Sequence, residues 1–214
     1  MKVVAVLAQS PRVAPVPVLT LGDGTTVQPA AAEPRPEGGS RDVVPEALLA
    51  DVLAAARGVA GAVVRVAVLP HATRDDMGAL GVPQGQVLEQ RGETPGERWR
   101  GVFSNLFRRG AKHVVLVGAD ARSLTPAMLE DAFAALAGHP MQVAIGPSSD
   151  GGYYLLGLSG PTAPDLFTGV RWGTRYALVD TLRRCEFEDR RVTLLPVMEV
   201  IGGAAPETSA GYCQ

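Results

Sequence analysis

Residues 113–120 read HVVLVGAD, a run of four apolar side chains that ends in glycine and then a carboxylate. Val114, Val115, Leu116 and Val117 show no polar alternation, so neither face of such a strand suits water. A strand buried on both faces needs a covering layer on each side, and helical sequence flanks this one at both ends. The pattern predicts an α/β domain with this strand at the centre of a parallel sheet. Ligands of such sheets sit beyond the carboxyl ends of the strands, and Asp120 stands at that end. Its carboxylate suits a hard cation, which in turn suits a diphosphate. The plainer alternative is that Asp120 caps the following loop.

The rest of the chain keeps the same rhythm. A first strand is predicted over 2–7, followed by a proline-rich stretch that includes Pro11, Pro15 and Pro17. Gly22-Asp23-Gly24 between two apolar runs predicts a small hairpin, and residues 29–41 are rich in proline and glycine and read as a loop. A helix over 45–57 carries Leu48, Leu49, Val52, Leu53 and Ala56 on one stripe. A buried strand over 62–69 comes next, then a short helix and loop over 71–85 and a strand over 86–90. Thr94-Pro95-Gly96-Glu97 has the form of a capping box with proline at the first helical position. Trp99, Val102, Phe103 and Leu106 follow it at helical spacing. Thr125-Pro126 opens another helix, with Leu129, Ala132, Phe133 and Leu136 inward and Gly138 at its end. Strands over 141–145 and 153–158, a helix over 174–185 and a strand over 192–197 complete the series.

Composition narrows the partners. A chain of 214 residues that is 46% hydrophobic and 20% charged can bury a sizeable core within one domain. The formal net charge of −2 leaves no basic surplus for releasing counterions, which argues against a nucleic-acid partner. Cys185 and Cys213 are too few for a disulfide framework and lack metal-ligand spacing, as suits a reducing compartment. The opening MKVVAVLA is shorter than a signal peptide's hydrophobic region and better explained as a buried strand. No stretch approaches the ~20 apolar residues of a membrane span. A cytoplasmic protein without a membrane partner is expected.

A second informative stretch runs from Gly146 to Tyr154, GPSSDGGYY. Asp150-Gly151-Gly152 predicts a tight turn into the next strand, as in an ordinary hairpin. The two glycines also allow a ligand to approach the backbone closely.

Taken in order, QRGETPGER (residues 90–98), Gly118-Ala119-Asp120, GPSSDGGYY and Trp172-Gly173-Thr174 resemble the glycosyltransferase-like family DUF2064. That family is related to nucleotidyltransferases of the GT-A, or nucleotide-diphospho-sugar transferase, fold. The resemblance covers residues 86–200 and implies a three-layer α/β sandwich around a mostly parallel sheet. It implies one domain over 1–214, with an excursion over 11–41 and an irregular tail from 202. By the same resemblance, Asp120 matches the position that holds Mg²⁺ or Mn²⁺ against a diphosphate. Asp150 becomes the catalytic residue, orienting or deprotonating an acceptor hydroxyl. Gly151, Gly152, Tyr153, Trp172 and Thr174 would line the substrate cleft, with packing the alternative for Trp172 and helix capping for Thr174. Ala8, Gln9, Ser10 and Arg12 would meet the phosphates of a nucleotide or nucleotide sugar.

Three positions depart from the family pattern. The basic stretch after the first strand is replaced by Ala8-Gln9-Ser10-Pro11-Arg12, Ser123 stands where relatives carry an acid, and Glu199-Val200-Ile201-Gly202 replaces an Asp-Val-Asp-Thr pattern. Two readings follow: a metal-dependent transferase with Asp120 and Asp150 on one cleft, or a non-catalytic relative that keeps the cleft for binding. The loss of backbone donors to proline in the first loop predicts weak nucleotide binding, high micromolar or poorer and on the order of −5 kcal/mol.

Overall fold

Long runs of β-branched residues produce the centre of the molecule. The computed structural model describes residues 1–8, 46–69, 77–78, 81–160 and 163–199, together with the backbone of 19–20 and 26–27. Strands β1 (Lys2–Ala8), β4 (Ala62–Val68), β5 (Val87–Glu89), β6 (His113–Gly118), β7 (Gln142–Pro147), β8 (Tyr153–Ser159) and β9 (Arg191–Leu194) form one seven-stranded sheet. Their order is β5-β4-β1-β6-β8-β7-β9. All neighbouring pairs are parallel except those of β8, which runs antiparallel to both β6 and β7. The remaining strands, β2 (Leu19–Thr20) and β3 (Thr26–Val27), pair antiparallel as the hairpin predicted around 22–24. That turn itself, residues 9–18, the Pro/Gly-rich stretch and the tail from 200 onward lie outside the described residues.

The sheet has two dry faces, as the absence of alternation in β6 requires. Val4, Val6, Val66, Val115, Val117 and Ala144 meet helices α1 (Glu46–Arg57) and α3 (Pro126–Ala137) on one face. Val3, Ala5, Val114, Leu116, Val143, Ile145 and Leu156 face α2 (Pro95–Arg108) and α4 (Ala177–Phe187) on the other. The result is the three-layer sandwich expected of the fold.

The capping box at the start of α2 is complete. Glu97 N–H donates to Thr94 Oγ1 at 3.2 Å, and Glu97 Oε2 accepts from the backbone of Glu93 and Thr94 at 2.8 and 3.2 Å. These backbone bonds lower the Glu97 pKa below its ordinary value. Gly92, at φ +131°, makes the turn that brings the chain onto this cap.

Two boundaries differ from expectation by three residues. The last helix begins at Ala177 rather than 174, because the Thr174 hydroxyl donates to Arg171 O at 2.8 Å and accepts from Tyr176 N–H at 3.2 Å. Thr174 therefore builds the turn before α4 and does not cap it; Tyr176 holds the cap position. Strand β9 ends at Leu194, not 197: Leu195 makes one more bond to Ile145 O, and Pro196 has no N–H with which to continue. No helix among the described residues is long and apolar enough to cross a membrane.

Candidate functional site at the carboxyl edge of the sheet

The topology sends several chain turns to one edge. Strands β1, β4, β5, β6 and β7 all end there, and β8 starts there, because it alone is reversed. Ala8 ends β1, buried and paired with Val68. Asp120 lies in the turn after β6, tied down by Ala119 N–H to Leu7 O at 3.1 Å and Ala121 N–H to Gly118 O at 3.2 Å. Asp150 lies in the turn between β7 and β8. Because β8 lies directly beside β6, the turn that leads into β8 opens one strand along the same edge from the end of β6.

Both carboxylates are positioned by small neighbours. A Cβ on Gly118 would lie 2.4 Å from Asp120 Oδ1, so the glycine leaves the room in which that carboxylate folds back over the strand end. Asp150 Oδ1 accepts from Gly152 N–H at 3.0 Å and from the Ser148 hydroxyl. These bonds make the Asp150 side chain part of its own turn. Ser148 N–H reaches Gly152 O at 3.1 Å and Gly151 N–H reaches Ser148 O at 3.1 Å, closing the turn.

A second wall comes from residues 171–178. Gly151 has φ +84°, and a Cβ there would meet Arg175 O at 2.3 Å. Leu178 N–H donates to Gly151 O at 3.1 Å. The Trp172-Gly173-Thr174 segment is thereby pinned beside the Asp150 turn, although the two are distant in the sequence. Arg171 secures the segment from behind: its Nε and terminal nitrogen reach the two Asp180 oxygens, each at 2.8 Å. The Asp180 carboxyl is held at about 2 by those bonds, below its ordinary 3.8. Tyr176 is exposed, with the guanidinium groups of Arg171 and Arg175 at 4.1 and 5.4 Å from its ring.

Tyr153 and Trp172 stand in an aromatic cluster. Trp99 of α2 meets Tyr153 at 5.5 Å and Trp172 at 5.6 Å between ring centres, and Phe167 stacks on Trp172 at 6.3 Å. Burial raises the Tyr153 pKa, and its hydroxyl contacts Thr181 Oγ1 at 3.4 Å. Gly96 allows α2 to pack here, since a Cβ would lie 3.0 Å from both Phe167 O and Trp172 Nε1. The cluster thus fastens the 90–98 segment to the 172–174 segment. Trp99 was not singled out as a site residue in the sequence, where its helical spacing marks it only as core.

The chain after β9 reaches the same turn. Tyr154 O–H donates to Pro196 O at 3.3 Å, Met198 N–H to Pro147 O at 2.9 Å, and Ser149 N–H to Met198 O at 3.0 Å. Exposed Glu199 is therefore brought next to the Asp150 turn. Gln9, Ser10, Arg12 and Ile201 lie outside the described residues, so their expected roles have no structural counterpart here.

For a cation, the described residues offer separated oxygens rather than a cage. No group of three or more His, Cys, Asp or Glu side chains gathers among the described residues in a way that could hold a metal. A hard carboxylate at a strand end fits Mg²⁺ or Mn²⁺ when substrate phosphates complete the shell, the common arrangement for Mg²⁺.

Comparison with known proteins agrees with this fold. The family described as "Uncharacterized protein conserved in bacteria (DUF2064)" matches residues 52–174. No curated protein matches the chain. Among solved structures, one from Desulfovibrio desulfuricans G20, provisionally described as a nucleotide-diphospho-sugar transferase, is 22% identical with a TM-score of 0.71. The match covers 94% of this chain and 82% of that one. A 4-diphosphocytidyl-2C-methyl-D-erythritol synthase is 15% identical at a TM-score of 0.53, over 92% and 88% of the two chains. A CMP:2-keto-3-deoxy-manno-octonic acid synthetase in complex with CTP is 11% identical at 0.51, over 93% and 90%. At these identities the likeness is one of fold.

Proposed function

This chain belongs to the DUF2064 family, and from that premise we propose that it is a transferase acting on a nucleotide or nucleotide sugar. The observation that carries the proposal is the clasp of Gly151 against the Arg175 backbone. It holds the Asp150 turn and the Trp172-Gly173-Thr174 segment together on the sheet edge that also carries Asp120. The neighbours of the same fold are described as nucleotide-sugar or cytidylyl enzymes, one with CTP bound, which supports a nucleotide as donor.

In this reading Asp120 holds a divalent cation together with the donor's phosphate oxygens. Such a cation, when bound, neutralises charge on a leaving diphosphate. Asp150 accepts a hydrogen bond from the acceptor hydroxyl and takes its proton as the bond to the donor forms. Ser148 O–H and Gly152 N–H fix Asp150 Oδ1 in that orientation. Gly152, with no side chain, leaves the backbone open to the acceptor, and Tyr153, Trp172 and Thr174 keep the wall behind it in place. Ser123, which is exposed and by the family resemblance stands in the place of an acid, favours a second reading, a binding module without turnover.

The test is calorimetric titration of UDP-, GDP-, ADP- and CDP-linked sugars with Mn²⁺, on wild type and Asp120→Asn. The reading expects weak binding of at least one, in the high-micromolar range, about tenfold weaker still in the variant. Indifference to Asp120→Asn would overturn the assignment of the cation to Asp120. Binding without turnover would favour the module, and silence of all four would remove the nucleotide from the account.

A further inference from the structure

The segment that walls the Asp150 turn is strongly basic. From Arg171 to Arg184 the sequence sets Arg171, Arg175, Arg183 and Arg184 against one acid, Asp180, in a chain whose formal net charge is −2. Arg184 turns away to Asp165, at 3.3 Å. The other three gather. Arg171 holds both Asp180 oxygens, and Arg183 comes within 4.0 Å of one of them. Arg171 and Arg175 meet on a single ring, that of Tyr176, at 4.1 and 5.4 Å from its centre. One carboxylate therefore answers three guanidinium groups, and Arg175 has no acidic partner among the described residues.

Stability does not call for this arrangement. Asp180 is already satisfied by the side chain and backbone N–H of Arg171. Further like charges beside that pair repel it and one another. The Arg171 and Arg183 side chains are 52% and 73% exposed and Arg175 is exposed as well, so all three heads stay open to a solute. Their place is equally specific. Arg175 is rooted on Gly151, where a Cβ would lie 2.7 Å from Arg175 Cα, and Gly151 directly follows Asp150. The charge thus stands on the Asp150 side of the edge and not at the end of β6, where Asp120 lies. With the donor's phosphates assigned to Asp120, cations beside Asp150 belong to the other reactant.

We propose that the acceptor carries an oxyanion, a phosphate or a carboxylate, which Arg175 binds beside the Tyr176 ring with Arg171 as the second cation. Guanidinium forks match the paired oxygens of either group. Arg171 is held still by Asp180, so its remaining N–H groups lose little freedom when an anion arrives. The anion anchors the acceptor next to the Asp150 turn, and its hydroxyl is the group that Asp150 receives. In calling the bound molecule an acceptor, the proposal rests on the transferase reading.

Titration of the full chain with glucose 6-phosphate, glucuronate and glucose, in the absence of any nucleotide, tests the proposal. Calorimetry reads the binding, and so does tryptophan emission, since Trp172 is the neighbour of Arg171. At least one of the two anions is expected to bind about tenfold or more tightly than glucose, and the preference between them identifies the oxyanion. Arg175→Gln should weaken that anion by about tenfold or more, Arg175→Lys by less, and added salt should weaken it too. Arg108→Gln, at the far end of α2, and Asp120→Asn should leave it unchanged. Thermal melts of each variant separate loss of the site from loss of the fold. The proposal fails if the three sugars bind alike, if none binds at millimolar concentration, or if folded Arg175→Gln binds like wild type. Such a failure with donor binding intact removes the anionic acceptor and leaves the transferase reading standing. Anion binding with every donor sugar silent does the reverse: it keeps the arginine site and overturns the acceptor role given to its occupant.

Discussion

Asp180 shows how much of the site rests on one side chain that touches no reacting atom. It is 9% exposed and takes both guanidinium bonds of Arg171, plus the Arg171 backbone N–H at 3.1 Å. Its folded pKa of about 2 lies below the ordinary 3.8, so it favours the folded state above the ordinary value. That contribution fades as pH falls through 3.8 and toward 2. Replacing it with asparagine keeps the shape and removes the charge. We expect Asp180→Asn to cost about 2 kcal/mol near neutral pH, the usual worth of hydrogen bonds to a charged group. Urea midpoints of wild type and variant should converge between about pH 4 and about pH 2, the window set by the two pKa values. A gap that stays constant with pH would show that the carboxylate's charge does not brace residues 171–176. The sequence gives no hint of this pair, since an arginine nine residues from an aspartate has no local signature. Aspartate in the first turn of a helix already has a sufficient explanation in the helix dipole.

At the scale of elements, what could be read in advance was what is local. The buried strands announce themselves by apolar runs, and the capping box of α2 and the Asp150-Gly151-Gly152 turn by their residue chemistry. The start of α4 was misplaced because Thr174 can serve either a cap or a turn, and only contacts with Arg171 and Tyr176 decide. The clasp between that turn and residues 171–178 was not legible from spacing, because packing 24 residues downstream, Gly151 on Arg175, leaves no periodic trace; only the family resemblance put Gly151, Trp172 and Thr174 on one cleft. The clasp makes a sharp prediction. Gly151→Ala meets both a positive φ and a backbone oxygen that cannot retreat as a side chain would. It should cost about 1–3 kcal/mol and lower the melting temperature by about 2–10 °C. Gly152→Ala is the comparison. Its new methyl would lie 3.2 Å from Asp150 Oδ1 and 3.3 Å from Ser148 Oγ, both movable. Equal melting temperatures for the two variants would rule out the clasp as the element that joins β8 to α4.

At the scale of the whole molecule, the two faces of the sheet are not independent cores. Along β1, Val3 and Ala5 serve one face while Val4 and Val6 serve the other, and along β6 Val114 and Leu116 alternate in the same way with Val115 and Val117. Removing either helical layer exposes the back of every central strand, so neither face should survive the loss of the other. The chain's two tryptophans give a local probe. Trp99 and Trp172 touch each other, and both pack on the face covered by α2 and α4. Phe133 of α3 is buried on the opposite face. Truncating it to alanine should cost about 3–5 kcal/mol. If the sheet couples the faces, tryptophan emission and far-UV circular dichroism will report one urea transition in the wild type. Phe133→Ala will then shift both midpoints by the same amount, although no tryptophan is near the cavity it leaves. A dichroism midpoint that falls while the tryptophan transition stays in place would mean that the α2–α4 face is a separate folding unit. The aromatic cluster, the Arg171–Asp180 pair and the Gly151 clasp would then hold residues 171–178 against β8 without support from the α1–α3 layer.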